Sequence, residues 1–512
     1  MNKQLMPLLL SGAMAIISAA QAAEPPLQVT LAGGVISGTK LDGTRAWLGI
    51  PYAKPPTGDR RWQPPQDVEP WHGVKETRHY GDDCLQKPFE GDAAPSGVGF
   101  SEDCLTINVW RPDEESDHLP VMVWIYGGGY VNGGSSPAVY SGQAFARQGI
   151  VFVSFNYRVG RFGFFAHPAL AGESLRGNYG LMDQLAALRW VQQNIQAFGG
   201  DKNNVTLFGE SAGGMSIHSL LTTPLSRGLF QKAIIESGSG RHNKTANQSW
   251  QQAEHYGVAF AEKNGISATD ASALASLRQL PAAKLVDGLN MATVPDGTYS
   301  GPMIDGKIIQ EEPQQRYDRG DFIQVPLLVG VNSWEIGFPP AVTTLDEALK
   351  PFPEEAASRA QQAFAGLTPQ VAAMRIAQYK LMTEPARYVA RVWAKNSLPV
   401  WSYRFAYVAD SMKNSWGEAP HASEIPYVFD TMAARFGQAV TPEDQRVADI
   451  MHRYWVNFAK TGNPNAADLP NWEPYDTQKD NLLSIPPQGA ADITMMPDPL
   501  RERLDLIEAI NR

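Results

Sequence analysis

The chain is short of cysteine, with only Cys84 and Cys104 in 512 residues. That excludes a small scaffold held by a disulfide framework. Two cysteines with no adjacent histidine also make a poor metal site. Positive charge is in deficit: 43 Lys and Arg stand against 53 Asp and Glu, for a formal net charge of −10. A nucleic-acid binder gains affinity by neutralising phosphates, so this balance argues against one. Beyond that, the acidity mainly favours solubility. No apolar run is long enough to cross a membrane comfortably. The N-terminal stretch Leu5–Ile17 has roughly 13 residues, where a spanning helix needs about 20. There are no internal repeats or low-complexity tracts, and the Pro-rich patches read as loops rather than domain linkers.

What is present is ordinary globular material, 43% hydrophobic and 19% charged, enough for a large core. Length alone suggests several domains, but α/β folds often run long as one unit. The first residues read as a secretory signal peptide: Lys3, the apolar stretch, then Ala20-Gln21-Ala22. Cleavage is expected near Ala22 or Ala23. Residues 1–22 are then a signal peptide and 23–512 a single domain, exported to the periplasm or beyond. In such a compartment Cys84 and Cys104 most simply pair. Closing a loop of that size contributes roughly 3 kcal/mol in the chain-entropy model.

Short strands broken at Gly33-Gly34 open the mature chain and suggest an antiparallel edge. "LTINVWRP", "LPVMVWIYGGGY", "GIVFVSFNY", "NNVTLFGE" and "FQKAIIESGS" then read as strands, several of them apolar throughout. "GLMDQLAALRWVQQNIQAFGG" and "SAGGMSIHSLLTT" between them read as helices. Apolar strands alternating with helices predict a buried, mostly parallel sheet. Residues 241–300 look helical and irregular, and 341–396 a helical excursion. Strands return at 325–332 and 399–408. A helix follows from Thr441, its cap, to Gly462, its stop.

"TLFGESAGGMS" carries the chemistry. Gly209, Glu210, Ser211, Ala212 and Gly213 fit G-x-S-x-G on a strand-to-helix corner. Such a corner lifts a serine out of the sheet edge, above a helix N-terminus whose free N–H groups favour negative charge. A serine at its free pKa needs a base, and the base an orienting acid, in the chain order Ser, acid, His. Of nine histidines, His421 and His452 alone lie beyond residue 255. His452 falls inside an amphipathic helix. His421 falls in the polar loop "SWGEAPHASEIPYVFD", where a loop-borne base belongs. For the acid, Glu335 stands just past a strand in "VPLLVGVNSWEIG". Asp305 sits in a turn-like Asp-Gly, and Asp318 and Asp321 in a surface-like run. Gly127, Gly128 and Gly129 follow a core strand and can present N–H groups to an oxyanion, with Ala212 N–H on the other side.

Together, "SEDCLTINVW", "VMVWIYGGGY", "NYRVGRFGFF", "GNYGLMDQLAALRWVQQNIQAFGGD", "VTLFGESAGG", "VGVNSWE" and "HASEIPYVF" resemble the type-B carboxylesterase and cholinesterase family over nearly the whole mature chain. The resemblance implies an α/β-hydrolase fold, a central mostly parallel sheet with helical insertions over the site. It implies a serine carboxylesterase working without metal or organic cofactor, on a small ester as its partner. Lipases, other specialised hydrolases and non-catalytic relatives belong to the same family and are the alternatives. Carried over residue by residue, Ser211 is the nucleophile, Glu335 the acid, His421 the base, and Gly128, Gly129 and Ala212 the oxyanion hole. Cys84 and Cys104 match the family's first disulfide. Ser237 matches a supporting serine, with Glu210 beside the nucleophile in the same supporting class. Ile336 stands where the family often has glycine. The first disulfide loop has Phe89 and Phe100 but not the choline-binding tryptophan of the cholinesterases, so uncharged esters are expected, with Trp334 as a distant aromatic that could fold in.

Overall fold

A computed structural model describes residues 27–95, 97–173, 175–241, 248–294 and 297–511. The signal peptide expected at residues 1–22 lies outside them.

The backbone is organised by a sheet of eleven strands. In chain order these are β1 (Thr39–Leu41), β2 (Thr44–Pro51), β3 (Thr106–Pro112), β4 (Leu119–Ile125), β5 (Val151–Phe155), β6 (Gly200–Glu210), β7 (Lys232–Glu236), β8 (Leu327–Asn332), β9 (Val400–Phe405), β10 (Asn481–Ile485) and β11 (Thr494–Pro497). In space they run β11-β10-β9-β8-β7-β6-β4-β5-β3-β2-β1. The stretch from β10 to β5 is parallel throughout, and the outer pairs are antiparallel. Every residue of β5, β7 and β8 is buried, as a sheet covered on both faces requires. The broken strands at Gly33-Gly34 form a hairpin, Gln28–Leu31 against Gly34–Ser37, in a separate three-stranded sheet with Val74–Glu76.

The helices that matter for the site are α1 (Tyr179–Asn194), α2 (Ala212–Thr222), α3 (Pro369–Gln378), α4 (Glu384–Lys395), α5 (Pro442–Thr461) and α6 (Arg501–Ile510). Helix α5 begins as expected: Thr441 Oγ1 accepts from Asp444 N, and the Asp444 carboxylate accepts from Thr441 N. It stops at Gly462, which takes φ 77°. The excursion at 341–396 is helical, and its residues Phe352, Phe364 and Ile376 pack with Leu504 and Ile507 of α6 in a second, smaller core. The sequence reading passes over β10, β11 and α6, because short strands near the sheet edge and a mixed C-terminal segment carry little periodic signal. Among the described residues no helix is long and apolar enough to cross a membrane.

Candidate active site

Strand β6 ends at Glu210 and α2 begins at Ala212, so Ser211 is the whole corner. It takes φ 54° and ψ −122°, a region that non-glycine residues occupy at a cost of about 1–3 kcal/mol. The corner presses on the end of β4. A Cβ at Gly209 would lie 2.7 Å from the Ile125 carbonyl oxygen, and one at Gly213 would collide with it outright. Ser211 N donates to Glu236 O at 2.9 Å, which ties the corner to β7.

Glu335 is fixed from several directions. Its Oε1 accepts from Asn332 N at 2.7 Å and Ser237 Oγ at 2.5 Å. Its carbonyl accepts from Gln378 Nε2 of α3 at 2.5 Å. Oε2 is left for His421 Nδ1, 2.5 Å away. The loops bearing the two residues are pinned together: Trp334 N donates to Ala419 O at 2.9 Å, and Asn332 Nδ2 to Pro420 O at 2.7 Å. The other ring nitrogen, His421 Nε2, lies 3.0 Å from Glu210 Oε1 but makes no hydrogen bond. The structure thus joins Glu335 to His421 and turns the free nitrogen toward the residue preceding Ser211. Ser211 and His421 do not hydrogen-bond to each other among the described residues; in free enzymes such contacts often tighten only with substrate.

Opposite, β4 runs into Gly127–Gly129. Gly128 and Gly129 take φ 107° and 61°, and a Cβ at Gly127 would lie 3.0 Å from Ser211 Cβ. The N–H groups of Gly128, Gly129 and Ala212 have no partner among the described residues. Cys84 and Cys104 are disulfide-bonded. Their loop braces the glycines: Gln86 Oε1 accepts from Gly133 N at 2.8 Å, and Asn132 Nδ2 donates to Lys87 O at 2.7 Å.

Two carboxylates near Glu210 escape sequence reasoning. Glu236 is the register partner of Glu210 on the neighbouring parallel strand, so both side chains leave the same face. Glu236 Oε1 accepts from Trp455 Nε1 at 2.8 Å. Glu424 Oε2 accepts from Asn332 Nδ2 at 2.5 Å. Among the described residues, Glu210 Oε1, Glu236 Oε2 and Glu424 Oε1 are buried without a hydrogen-bond partner. Burial raises the Glu210 and Glu236 carboxyls well above the usual range, with Glu424 adding to both. Burial and the charge of Glu335 push Glu424 up to about 7. Burial alone would lower His421, but the carboxylates of Glu210 and Glu335 override it and push the imidazole up to about 10. Both groups shift upward and face each other 3.0 Å apart, so His421 and Glu210 titrate as a pair. The one sequence cue was position, since Glu236 and Glu424 sit inside the same motifs as Ser237 and His421.

The competing residues are engaged elsewhere. His452 is buried in α5, with Nδ1 2.8 Å from Val428 O. Asp305 Oδ1 accepts from the N–H groups of Lys307, Ile308 and Ile309. Asp318 accepts from Tyr388 Oη, and Asp321 pairs with Arg316. Among the described residues no group of His, Cys, Asp and Glu is arranged to hold a metal.

The sequence profile of the Carboxylesterase family matches residues 25–501. Para-nitrobenzyl esterase of Bacillus subtilis (strain 168) is 37% identical, over 93% of this chain and 97% of its own. Fumonisin B1 esterase of Sphingopyxis macrogoltabida is 35% identical, over 91% of this chain and 87% of its own. Carboxylesterase 1E of Rattus norvegicus is also 35% identical, over 90% of each chain. A solved structure of PNB esterase superposes with a TM-score of 0.81 at 34% identity, covering 94% of this chain and 99% of that one. The fold is therefore an α/β-hydrolase, and this chain belongs to the carboxylesterase family and is a carboxylic ester hydrolase.

Proposed function

We propose that Ser211, His421 and Glu335 hydrolyse esters through an acyl-enzyme. His421 Nε2 takes the proton of Ser211 Oγ as the oxygen attacks the ester carbonyl carbon. The carbonyl oxygen becomes an oxyanion held by the N–H groups of Gly128, Gly129 and Ala212. His421 then protonates the leaving alcohol, and water repeats the sequence to free the acid. Glu335 holds the imidazole by Nδ1 and stabilises its charged form, and Ser237 keeps Glu335 aimed. The observation that supports this best is the 2.5 Å contact of Glu335 with His421 Nδ1, which leaves Nε2 free on the Glu210 side.

The test is Ser211→Ala. Turnover of a p-nitrophenyl ester falls on the order of 10⁶-fold, and a serine-directed organophosphate no longer labels the protein. Near-normal turnover by the purified, folded variant would refute the assignment. Residues 1–22 direct export in this reading, and 23–512 act as a single domain. N-terminal sequencing of protein exported by its native host should begin near Ala23, and Met1 at the terminus would overturn that.

A further inference from the structure

The loops that carry Glu335 and His421 leave adjacent parallel strands, β8 and β9. Neither residue lies in a helix or a strand, so their separation is set by what bridges the loops. Some bridges run directly from one loop to the other. Besides the ties already described, Ala419 N donates to Ser333 Oγ at 3.1 Å. A further bridge comes from outside both loops, from the helical excursion at 341–396.

Helix α3 of that excursion lies against the acid loop: a Cβ at Gly337 would sit 3.0 Å from Ala377 Cβ and from Gln378 N. Ala372, Ala373 and Ile376 root the helix in the smaller core, with Leu504 and Ile507 of α6. Its Arg375, with a side chain only 12% exposed, reaches both loops. Nη1 donates to Ser333 O of the acid loop at 2.8 Å and to Gln378 Oε1 at 3.3 Å. Nη2 donates to the carboxylate of Glu418, three residues before His421 in the base loop. The guanidinium also lies over Trp334, with Cζ 4.4 Å from the ring centroid. Gln378, held by Arg375, donates in turn to the Glu335 carbonyl at 2.5 Å. A guanidinium is a planar fork of five donors, so it fixes two acceptors relative to each other as a flexible ammonium does not.

We propose that Arg375 is a positioning residue for the triad: its guanidinium spans the acid and base loops and keeps the Glu335 carboxylate aimed at His421 Nδ1. This rests on the reading of Ser211, His421 and Glu335 given above. Arg375 acts through Ser333, Gln378 and Glu418, and not on the reacting atoms. A hydrogen bond weakens steeply as donor and acceptor lose alignment. A small shift of either loop therefore weakens the one contact that orients the imidazole and stabilises its charged form. The helical excursion, which supplies no member of the triad, is in this way part of what makes the triad work.

The experiment measures p-nitrophenyl acetate hydrolysis by Arg375→Met, which loses both charge and fork, and by Arg375→Lys, which keeps the charge and loses the fork. In both, kcat falls about tenfold or more while KM stays within about threefold, because a misplaced catalytic group costs turnover rather than binding. The pH–rate profile separates positioning from a plain effect of charge. The carboxylates of Glu210 and Glu335 raise His421, with Glu424 adding to them. A weaker Glu335 contact lowers His421, so the alkaline limb moves to lower pH in both variants. Were Arg375 only a nearby cation, its loss in Arg375→Met would raise the imidazole and move the limb to higher pH, and Arg375→Lys would leave it in place. Either of those results, or wild-type turnover with an unmoved limb in the folded variants, overturns the inference. Glu418→Gln completes a double-mutant cycle, in which its loss of kcat and that of Arg375→Met do not add. Full additivity overturns the bridge. If Arg375→Met does not fold, Arg375→Lys carries the same test. Hydrolysis that persists undiminished in His421→Ala strikes the triad reading itself, whatever the Arg375 variants do.

Discussion

Glu210 illustrates how much one side chain controls in this site. Its Oε1 lies 3.0 Å from His421 Nε2, the ring nitrogen that accepts the serine proton in the proposed mechanism. In its ionised form Glu210 favours the protonated imidazole, and together with Glu335 it pushes His421 up to about 10. Only neutral imidazole can act as base, so kcat/KM should climb with pH through the alkaline range. Glu210→Gln removes one charge, lowers His421, and should move that limb to lower pH. A pH–rate profile checks it, and an unmoved limb would mean that Glu210 exerts no field at the ring. Glu424 gives a stability test of opposite chemistry. Its carboxyl is raised from 4.5 to about 7 by burial and by Glu335, so the folded state binds its proton more tightly than the unfolded state. Its contribution is complete below about pH 4.5 and is lost as pH rises through 7. Glu424→Gln never ionises and can still accept from Asn332 Nδ2. The variant's Tm relative to wild type should therefore rise between pH 5 and pH 9. A constant difference across that range would show that Glu424 is ionised without cost.

The strand-to-helix corner was legible at the level of the element because its demands are local. Two glycines, a serine and an apolar lead-in are all that β6 and α2 need to meet, and the glycine contacts with Ile125 explain each requirement. Gly213→Ala should therefore cost about 1–3 kcal/mol by overpacking and remove most esterase activity, because the corner has to shift. Full activity at an unchanged Tm would contradict the packing argument. Thr441→Ala is the control. It loses the cap of α5, a cost of about 1 kcal/mol, which spread over a chain this long lowers Tm by only roughly 1 °C and leaves turnover alone. The two loops that bring Glu335 and His421 together were legible for a related reason: each lies directly beyond the end of a parallel strand, β8 and β9, where such a fold places its ligands. What the sequence hides is what register creates. Glu210 and Glu236 become neighbours only when β6 and β7 pair Glu210 with Glu236, and Trp455 reaches Glu236 from 219 residues away. The edge strand β11 and its neighbour β10 carry no chemistry and few residues, so neither motif nor periodicity marks them.

The whole chain carries a formal charge of −10, which attracts cations toward it from solution. That field alone does not make a choline esterase, because it decays within a Debye length of about 8–10 Å at ordinary salt. A quaternary ammonium is held by an aromatic face, tryptophan above all, and a desolvated contact is worth about 2 kcal/mol or more, more than tenfold in affinity. Trp334 is the aromatic nearest the triad in sequence, and its face is already taken: Arg375 Cζ lies 4.4 Å from the ring centroid. Phe89 and Phe100 line a cavity of about 60 Å³ with Asp92, well below the roughly 150 Å³ that accommodates benzene in an apolar cavity. Burial raises the Asp92 carboxyl, and Asp92 Oδ1 already accepts from Ala94 N at 3.0 Å, which weakens its attraction for a cation. The enzyme should therefore prefer uncharged esters. An acylcholine and a neutral ester with the same acyl group and an alcohol of similar size should give comparable kcat/KM once salt is high, with any advantage of the choline ester at low salt disappearing as salt is added. A choline preference of tenfold or more that persists at high salt would reveal a cation site within the enzyme and overturn this expectation.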